Sequence, residues 1–267
     1  MSATNERRDQ VNENITLTQN AHGLTFGTDA YLLAAYVNSR AKSRAVDLGS
    51  GTGIIPLLCL TRNKFATCVA AEIQPSFCEL IRQNAAENGM AQRLYVRAGD
   101  IRTLSATDLG YEADIVTANP PYMTADAGAA NLHEEKYIAR HEVCGGIFDF
   151  CAAAARILKH GGKFYCVFRP DRLVDLIAAL RAAHLEPKRM TFVHATYAAS
   201  PSMVLVEATK GAAASLLLTP PLCLWEADTD HPEKPAQPMI PTTDSRYIYE
   251  HCGFPEGFLK TNRKSSR

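Results

Sequence analysis

The sequence predicts an α/β fold: a mostly parallel sheet with helices on both faces. Short β-branched runs alternate with longer helical stretches through the middle of the chain. A glycine-rich turn stands between the first such run and the helix after it. Acids close successive runs, where open sheets of this kind bind their ligands.

Ser43–Leu48 reads as the first strand, followed by glycines and a helix through Leu60. Thr67–Glu72 is the second strand. Pro75–Asn88 is an amphipathic helix, with Pro75 at a tolerated first-turn position and Gly89 as its stop. Arg93–Ala98 and Ala113–Ala118 are the third and fourth strands. A helix near Ile147–Leu158 leads through Gly161-Gly162 into the strand Lys163–Phe168, and the helix Leu173–His184 follows. Two late strands, near Arg189–His194 and Met203–Glu207, are joined without an obvious helix, which predicts a terminal antiparallel hairpin and seven strands in all. Beyond Lys210 the pattern weakens. Leu216–Trp225 is a further strand candidate, Pro232, Pro235, Pro238 and Pro241 mark a loop, and Thr243-Asp244 could cap a helix from Ser245 to His251. The expected organisation is one domain over residues 15–255, with flexible tails at 1–14 and 256–267.

The chain has 267 residues, 46% of them hydrophobic, enough for a sizeable core. No stretch approaches the roughly 20 apolar residues of a membrane span. The opening MSATNERRDQVN lacks the apolar core of an export signal, so a cytoplasmic location is expected. Lys plus Arg balances Asp plus Glu at 28 each, which gives no support to nucleic-acid binding through net charge. Lys260–Arg267 carries four basic residues and no acid; it fits a solvated terminus and also a phosphate contact. The eight cysteines form no C-x-x-C pair and should stay reduced. His133, His141, Cys144 and Cys151 match no common zinc spacing, so no metal is expected.

The first strand ends in Asp47-Leu-Gly49-Ser-Gly51-Thr-Gly53. Its G-x-G-x-G spacing differs from the G-x-G-x-x-G of dinucleotide sites, and a turn needed only for geometry would read the same. Three acids sharpen it. Asp47 ends the first strand, Glu72 ends the second where it can grip a ribose diol, and Asp100 follows the third where it can accept from an adenine amino group. Carboxylates there suit S-adenosylmethionine (SAM), which carries a sulfonium and an ammonium and no phosphate.

The fourth strand ends in Asn119-Pro120-Pro121-Tyr122. The segment from Asp47 to Tyr122 resembles the Rossmann-like class I SAM-dependent methyltransferases that act on amino nitrogens. In that group this tetrapeptide holds the nitrogen being methylated. The chemistry explains the residue types. The lone pair of adenine N6 is delocalised into the ring, so the nitrogen is a poor nucleophile. The Asn119 side-chain carbonyl and the Pro120 backbone carbonyl can accept its two hydrogens and favour a pyramidal nitrogen. Positive charge grows on that nitrogen during attack, so these acceptors bind the transition state best. Two prolines stiffen the backbone. Tyr122 supplies a stacking face beside Pro121.

Gln19-Asn20, Gly23-Leu-Thr-Phe26-Gly27-Thr28-Asp29-Ala30 and, downstream, Ala139-Arg140-His141-Glu142 extend the likeness. Over roughly residues 15–210 the chain resembles the bacterial tRNA1(Val) adenine-37 N6-methyltransferase family. The resemblance implies a monomer that takes an anticodon loop, with Thr28 and Asp29 closing over the methionine end of SAM. These two also fit as helix N-cap residues. Arg140 and His141 fit substrate contact from the loop after the tetrapeptide, and equally an internal Arg–Glu bridge. Glutamine methyltransferases of release factors share N-P-P-Y, but usually carry a helical domain for which the 40-odd residues before Asp47 leave too little room. Guanine N2-methyltransferases of ribosomal RNA often carry a duplicated domain. A non-catalytic SAM- or RNA-binding module has no use for Asn119 and Tyr122.

Overall fold

The computed structural model of the chain describes residues 6–20, 27–121, 145–227 and 239–260. A hairpin comes first, with β1 (Glu6–Asn12) antiparallel to β2 (Ile15–Asn20). The helix α1 (Thr28–Tyr36) leads to the strand β3 (Arg44–Leu48), then α2 (Ile54–Thr61), β4 (Thr67–Glu72), α3 (Pro75–Glu87) and β5 (Leu94–Ala98). The short α4 (Ala106–Leu109) precedes β6 (Ala113–Ala118). Next come α5 (Ile147–Ile157), β7 (Leu158–Phe168), α6 (Leu173–Ala182), β8 (Leu185–His194) and β9 (Pro201–Lys210). Short strands β10 (Leu217–Leu218), β11 (Leu222–Cys223), β12 (Trp225–Ala227) and β13 (Met239–Pro241) precede the helix α7 (Thr243–His251).

The main sheet runs β10-β8-β9-β7-β6-β3-β4-β5, with β11 also on β8. Pairing is parallel from β5 through β7, and β9 lies antiparallel between β7 and β8. The seven expected strands and the late hairpin are all present; β10 and β11 widen the edge. Strand order reverses at β3, whose neighbours are β4 and β6, so a crevice opens at the carboxyl ends of β3 and β6.

Alternation along each strand feeds two cores. Ala45, Ile115 and Tyr165 face one layer, with Leu33, Leu57, Leu58 and Phe65. Val46, Val116 and Phe164 face the other, with Phe150, Ile157 and Leu180. Both faces are covered, so these strands read as nearly continuous apolar runs. Helix α2 is buried from Ile54 through Leu60, as a helix packed on all sides must be.

Several boundaries differ from the sequence-based expectation. Glu6–Asn12 is a strand where a tail was expected. The edge of β2 is satisfied by side chains of α3 and of the residue that caps its C-terminus, Asn88. Asn84 Oδ1 accepts from Thr18 N at 2.7 Å, and Asn88 Oδ1 accepts from Thr16 N at 3.0 Å. Their Nδ2 atoms donate to Thr18 O and Thr16 O, so two amides four residues apart imitate a third strand. β7 starts at Leu158, with Gly161-Gly162 inside it. Its register against β6 jumps from Leu158 to Lys163, and Gly161 takes φ 73° in that bulge. Pro220-Pro221 splits the expected strand Leu216–Trp225 into pieces. The cap of α7 is Thr242, one residue early, whose Oγ1 accepts from Ser245 N at 3.2 Å.

Candidate active site

The turn after β3 is held by backbone bonds. Gly49 N and Ser50 N both donate to Ala71 O, at 2.9 and 3.2 Å. Gly49 and Gly51 adopt φ 65° and 56°, a left-handed conformation costly to other residues. A Cβ on Gly49 would lie 3.2 Å from the Phe150 ring, whereas one on Gly51 would meet nothing within 4 Å. Gly51 is therefore selected by backbone shape, and the space beside it is open. Gly53, at φ 81°, caps α2.

Asp47 is 1% exposed. Its carboxylate accepts from Ser50 Oγ and Thr117 Oγ1, each at 2.5 Å. It thus ties the glycine turn to β6, where Thr117 is its register partner. Neither Ser50 nor Thr117 was singled out from the sequence. Ser50 stood between the glycines, but strand register, which pairs Thr117 with Asp47, is not written in spacing.

Glu72 is also buried. It accepts from Gly51 N through Oε2 and from Gln74 N through Oε1, both at 2.9 Å. A carboxylate has about four lone-pair sites, so capacity remains for a diol. Asp100 differs. Arg102 grips both its oxygens, with Nη2 at 2.5 Å from Oδ2 and Nε at 3.0 Å from Oδ1. The guanidinium holds its carboxyl below the usual range. Any ligand amino group shares that carboxylate with Arg102. Arg156 of α5, also unmarked in the sequence, clamps this turn by donating to the carbonyls of Ile101 and Arg102 at 2.9 Å.

At the end of β6, Asn119 meets Asp29 of α1 across 90 residues of sequence. Asn119 Nδ2 donates to Asp29 Oδ2 at 2.9 Å. Asp29 Oδ1 accepts from Ala30 N at 2.8 Å. The helix N-cap is Gly27, with no side-chain cap, so Thr28 and Asp29 lie inside the first turn and do not cap it. An amide whose nitrogen is committed to a carboxylate can offer an incoming donor only its carbonyl oxygen. Pro120 is buried and Pro121 half-buried beside it. Tyr122, Arg140 and His141 lie outside the described residues, as do His133 and Cys144. Among the described residues no cluster of His, Cys, Asp and Glu could hold a metal ion, and no helix is long and apolar enough to cross a membrane.

The methyltransferase small-domain model matches residues 22–181, more than half of the chain. The chain belongs to that family. The matched segment includes every residue singled out above from Thr28 to Arg156. The tRNA1(Val) (adenine(37)-N6)-methyltransferase of Porphyromonas gingivalis is 28% identical over 197 residues, covering 72% of this chain and 76% of its own. A solved structure from Agrobacterium tumefaciens, described as a predicted O-methyltransferase, has a TM-score of 0.65 at 23% identity, covering 85% of this chain and 98% of its own. M. jannaschii TYW2 in complex with AdoMet has a TM-score of 0.53 at 14% identity, covering 78% and 87%. These two solved structures show likeness of fold.

Electrostatics gives the family's turn a pH signature. Burial pushes the Asp47 carboxyl up to about 7, with Glu72 adding repulsion and the Ser50 and Thr117 hydroxyls opposing. Burial raises Glu72 as well. An unfolded aspartate titrates near ~3.9, so between about pH 4 and 7 the folded protein binds more protons than the unfolded chain. Stability contributed by Asp47 is complete below pH 4 and is lost as pH rises through 7. Acids held low, such as Asp100 and Asp114, act in the opposite sense, but below about pH 4. Urea unfolding of the ligand-free protein should therefore show stability falling from pH 5 to pH 7, with a flatter profile in Asp47→Asn. Identical profiles for the two proteins would refute this assignment.

Proposed function

We propose that the protein transfers the methyl group of SAM to the exocyclic N6 of an adenine in tRNA, position 37 of tRNA1(Val). The observation that carries this reading is the Asn119–Asp29 bond, which engages the amide nitrogen, so that an amino group offered to this side chain would be met by its carbonyl. Membership of the methyltransferase family and the name of the P. gingivalis relative supply the reaction class and the substrate.

On this reading the glycine turn and Glu72 hold the nucleoside of SAM, with Gly51 leaving room for backbone approach. Asp47 belongs to the cofactor site at the end of β3 and fixes the turn there through Ser50 and Thr117. Carboxylates at the ends of β3 and β4 suit a cationic cofactor better than a phosphorylated one. Asp100 receives the adenine amino group of SAM. The sulfonium is already a good leaving group, so SAM supplies the activated methyl. The chain's task is alignment: Asn119 and Pro120 accept the two N6 hydrogens and hold nitrogen, methyl and sulfur in line. Tyr122 stacks on the target base with Pro121, Thr28 and Asp29 close the methionine end, and Arg140 and His141 approach the RNA. A splayed-out base from a single-stranded loop suits such a pocket.

The test is nucleoside mass spectrometry on unmodified total tRNA treated with protein and SAM. N6-methyladenine is the expected product. Methylated glutamine in a release factor, with no methylated adenine, would replace the RNA reading by the protein one.

A further inference from the structure

A cleft of about 510 Å³ lies at the amino ends of β3, β6 and β7, at the opposite end of the sheet from the glycine turn. Arg40, Lys42, Lys159 and Lys163 line it, against one acid, Asp114. In a chain with no net charge, four cations around one cleft are a local excess.

The pairings near the cleft do not cancel that excess. Lys159 pairs with Asp114, whose other oxygen accepts from Arg44 N at 2.8 Å. Lys163 Nζ reaches Glu207 at 2.7 Å, but Glu207 also pairs with Arg189. One buried carboxylate thus serves two cations, and Arg189 Nε is buried without an acceptor among the described residues. The side chains of Arg40 and Lys42 are exposed and form no ion pair among the described residues. The neutral polar lining includes Asn38, whose side-chain amide can donate, and Ser43, while the Ser39 hydroxyl is already committed to Lys64 O.

We propose that this cleft binds backbone phosphates of the substrate RNA, well away from the methylated base. The proposal rests on the RNA reading given above. Phosphate is the chemistry that mobile Lys and Arg donors recognise without reading sequence. Arg40, Lys42 and Lys159 are exposed, and a rim of long solvated side chains suits a polyanion lying across it better than a small ligand sealed inside. Asp114 at the cleft and Asn119 at the reaction centre are separated by five residues of extended chain, about 16 Å at ~3.3 Å per residue. That is roughly five base steps at ~3.4 Å. The target base held at Asn119 and its immediate neighbours cannot themselves fill the cleft, whereas RNA five or more nucleotides away can reach it.

The double variant Arg40→Glu/Lys42→Glu in the full chain tests this, with a thermal melt to check folding and Arg40→Ala/Lys42→Ala as a milder pair. Fluorescence anisotropy is measured against salt for unmodified full-length tRNA and for a five-nucleotide oligomer centred on the target adenine, which is too short to reach the cleft. Full-length tRNA should bind tenfold or more weakly to the charge-reversed protein, with a salt slope shallower by about two contacts. Affinity for the five-nucleotide oligomer and calorimetric SAM affinity should stay as in the parent. Unchanged full-length tRNA affinity overturns the proposal. So does stabilisation of the parent, but not the variant, by inorganic phosphate when tRNA binding is unaffected, since the cleft then serves a small anion. Binding is read without turnover, so loss of tRNA affinity in a protein that methylates no tRNA would sink the catalytic reading and leave the cleft assigned.

Discussion

Replacing Asn119 by alanine should lower turnover by a hundredfold or more while SAM affinity stays within a few-fold of the parent. On the proposed reading the side-chain carbonyl is one of two acceptors that engage the amino group as positive charge develops on it. Removing one preorganised group of that kind costs about 2.7 kcal/mol or more of transition-state binding. On the proposed reading the cofactor is held mainly by the turn after β3 and by Glu72, which accepts from Gly51 N in that turn, and not by Asn119. Asp29→Ala separates orientation from contact. It removes the acceptor at 2.9 Å that fixes the amide, so the Asn119 side chain can turn its nitrogen toward the substrate. Turnover should then fall about tenfold, through kcat more than KM, because a part of the population still presents the carbonyl. Single-turnover methylation with saturating SAM reads both variants. Near-parental turnover in Asn119→Ala removes that residue from the reaction.

The parts of this molecule that were legible in its sequence are those set by local chemistry. Pro75 and Gly89 bracket α3 because one tolerates a first turn and the other a left-handed stop, φ 68° at Gly89. β3 and β6 are apolar through their middles because both faces are covered. The acids at strand ends stood out because burial otherwise excludes charge there. What was not legible depends on partners distant in sequence. Glu6–Asn12 has the composition of a tail, and it becomes ordered through β2, whose outer edge is met by Asn84 and Asn88. The Asp47–Thr117 bond needs the β3–β6 register. The role of Asp29 needs α1 to place its first turn over the end of β6. Arg102 was close enough to Asp100 to be noticed, but whether it turns back on the acid is decided by the tight turn that Arg156 clamps.

Loss of cofactor binding in Glu72→Ala is the second large effect expected, with SAM affinity lower by tenfold or more. Two contributions act together. The substitution removes the carboxylate that, on the proposed reading, grips the ribose diol through a charge-assisted pair of hydrogen bonds. It also releases Gly51 N and Gln74 N, each held at 2.9 Å, so the turn that receives SAM is no longer fixed before the ligand arrives. A fully buried donor left unsatisfied costs about 1–3 kcal/mol; these two are part-buried, so thermal stability should fall too, by less than that for each. Glu72→Gln separates charge from shape. The amide keeps the length of the side chain but turns an NH2 toward one of two backbone N–H groups, placing donor against donor. It should therefore bind SAM little better than alanine does, whereas a residue acting only through bulk would be rescued. Calorimetry with SAM, alongside urea unfolding of each variant, reads affinity and stability separately. Unchanged SAM affinity in a folded Glu72→Ala protein would take Glu72 out of the cofactor site and leave it a purely structural tie between β4 and the glycine turn.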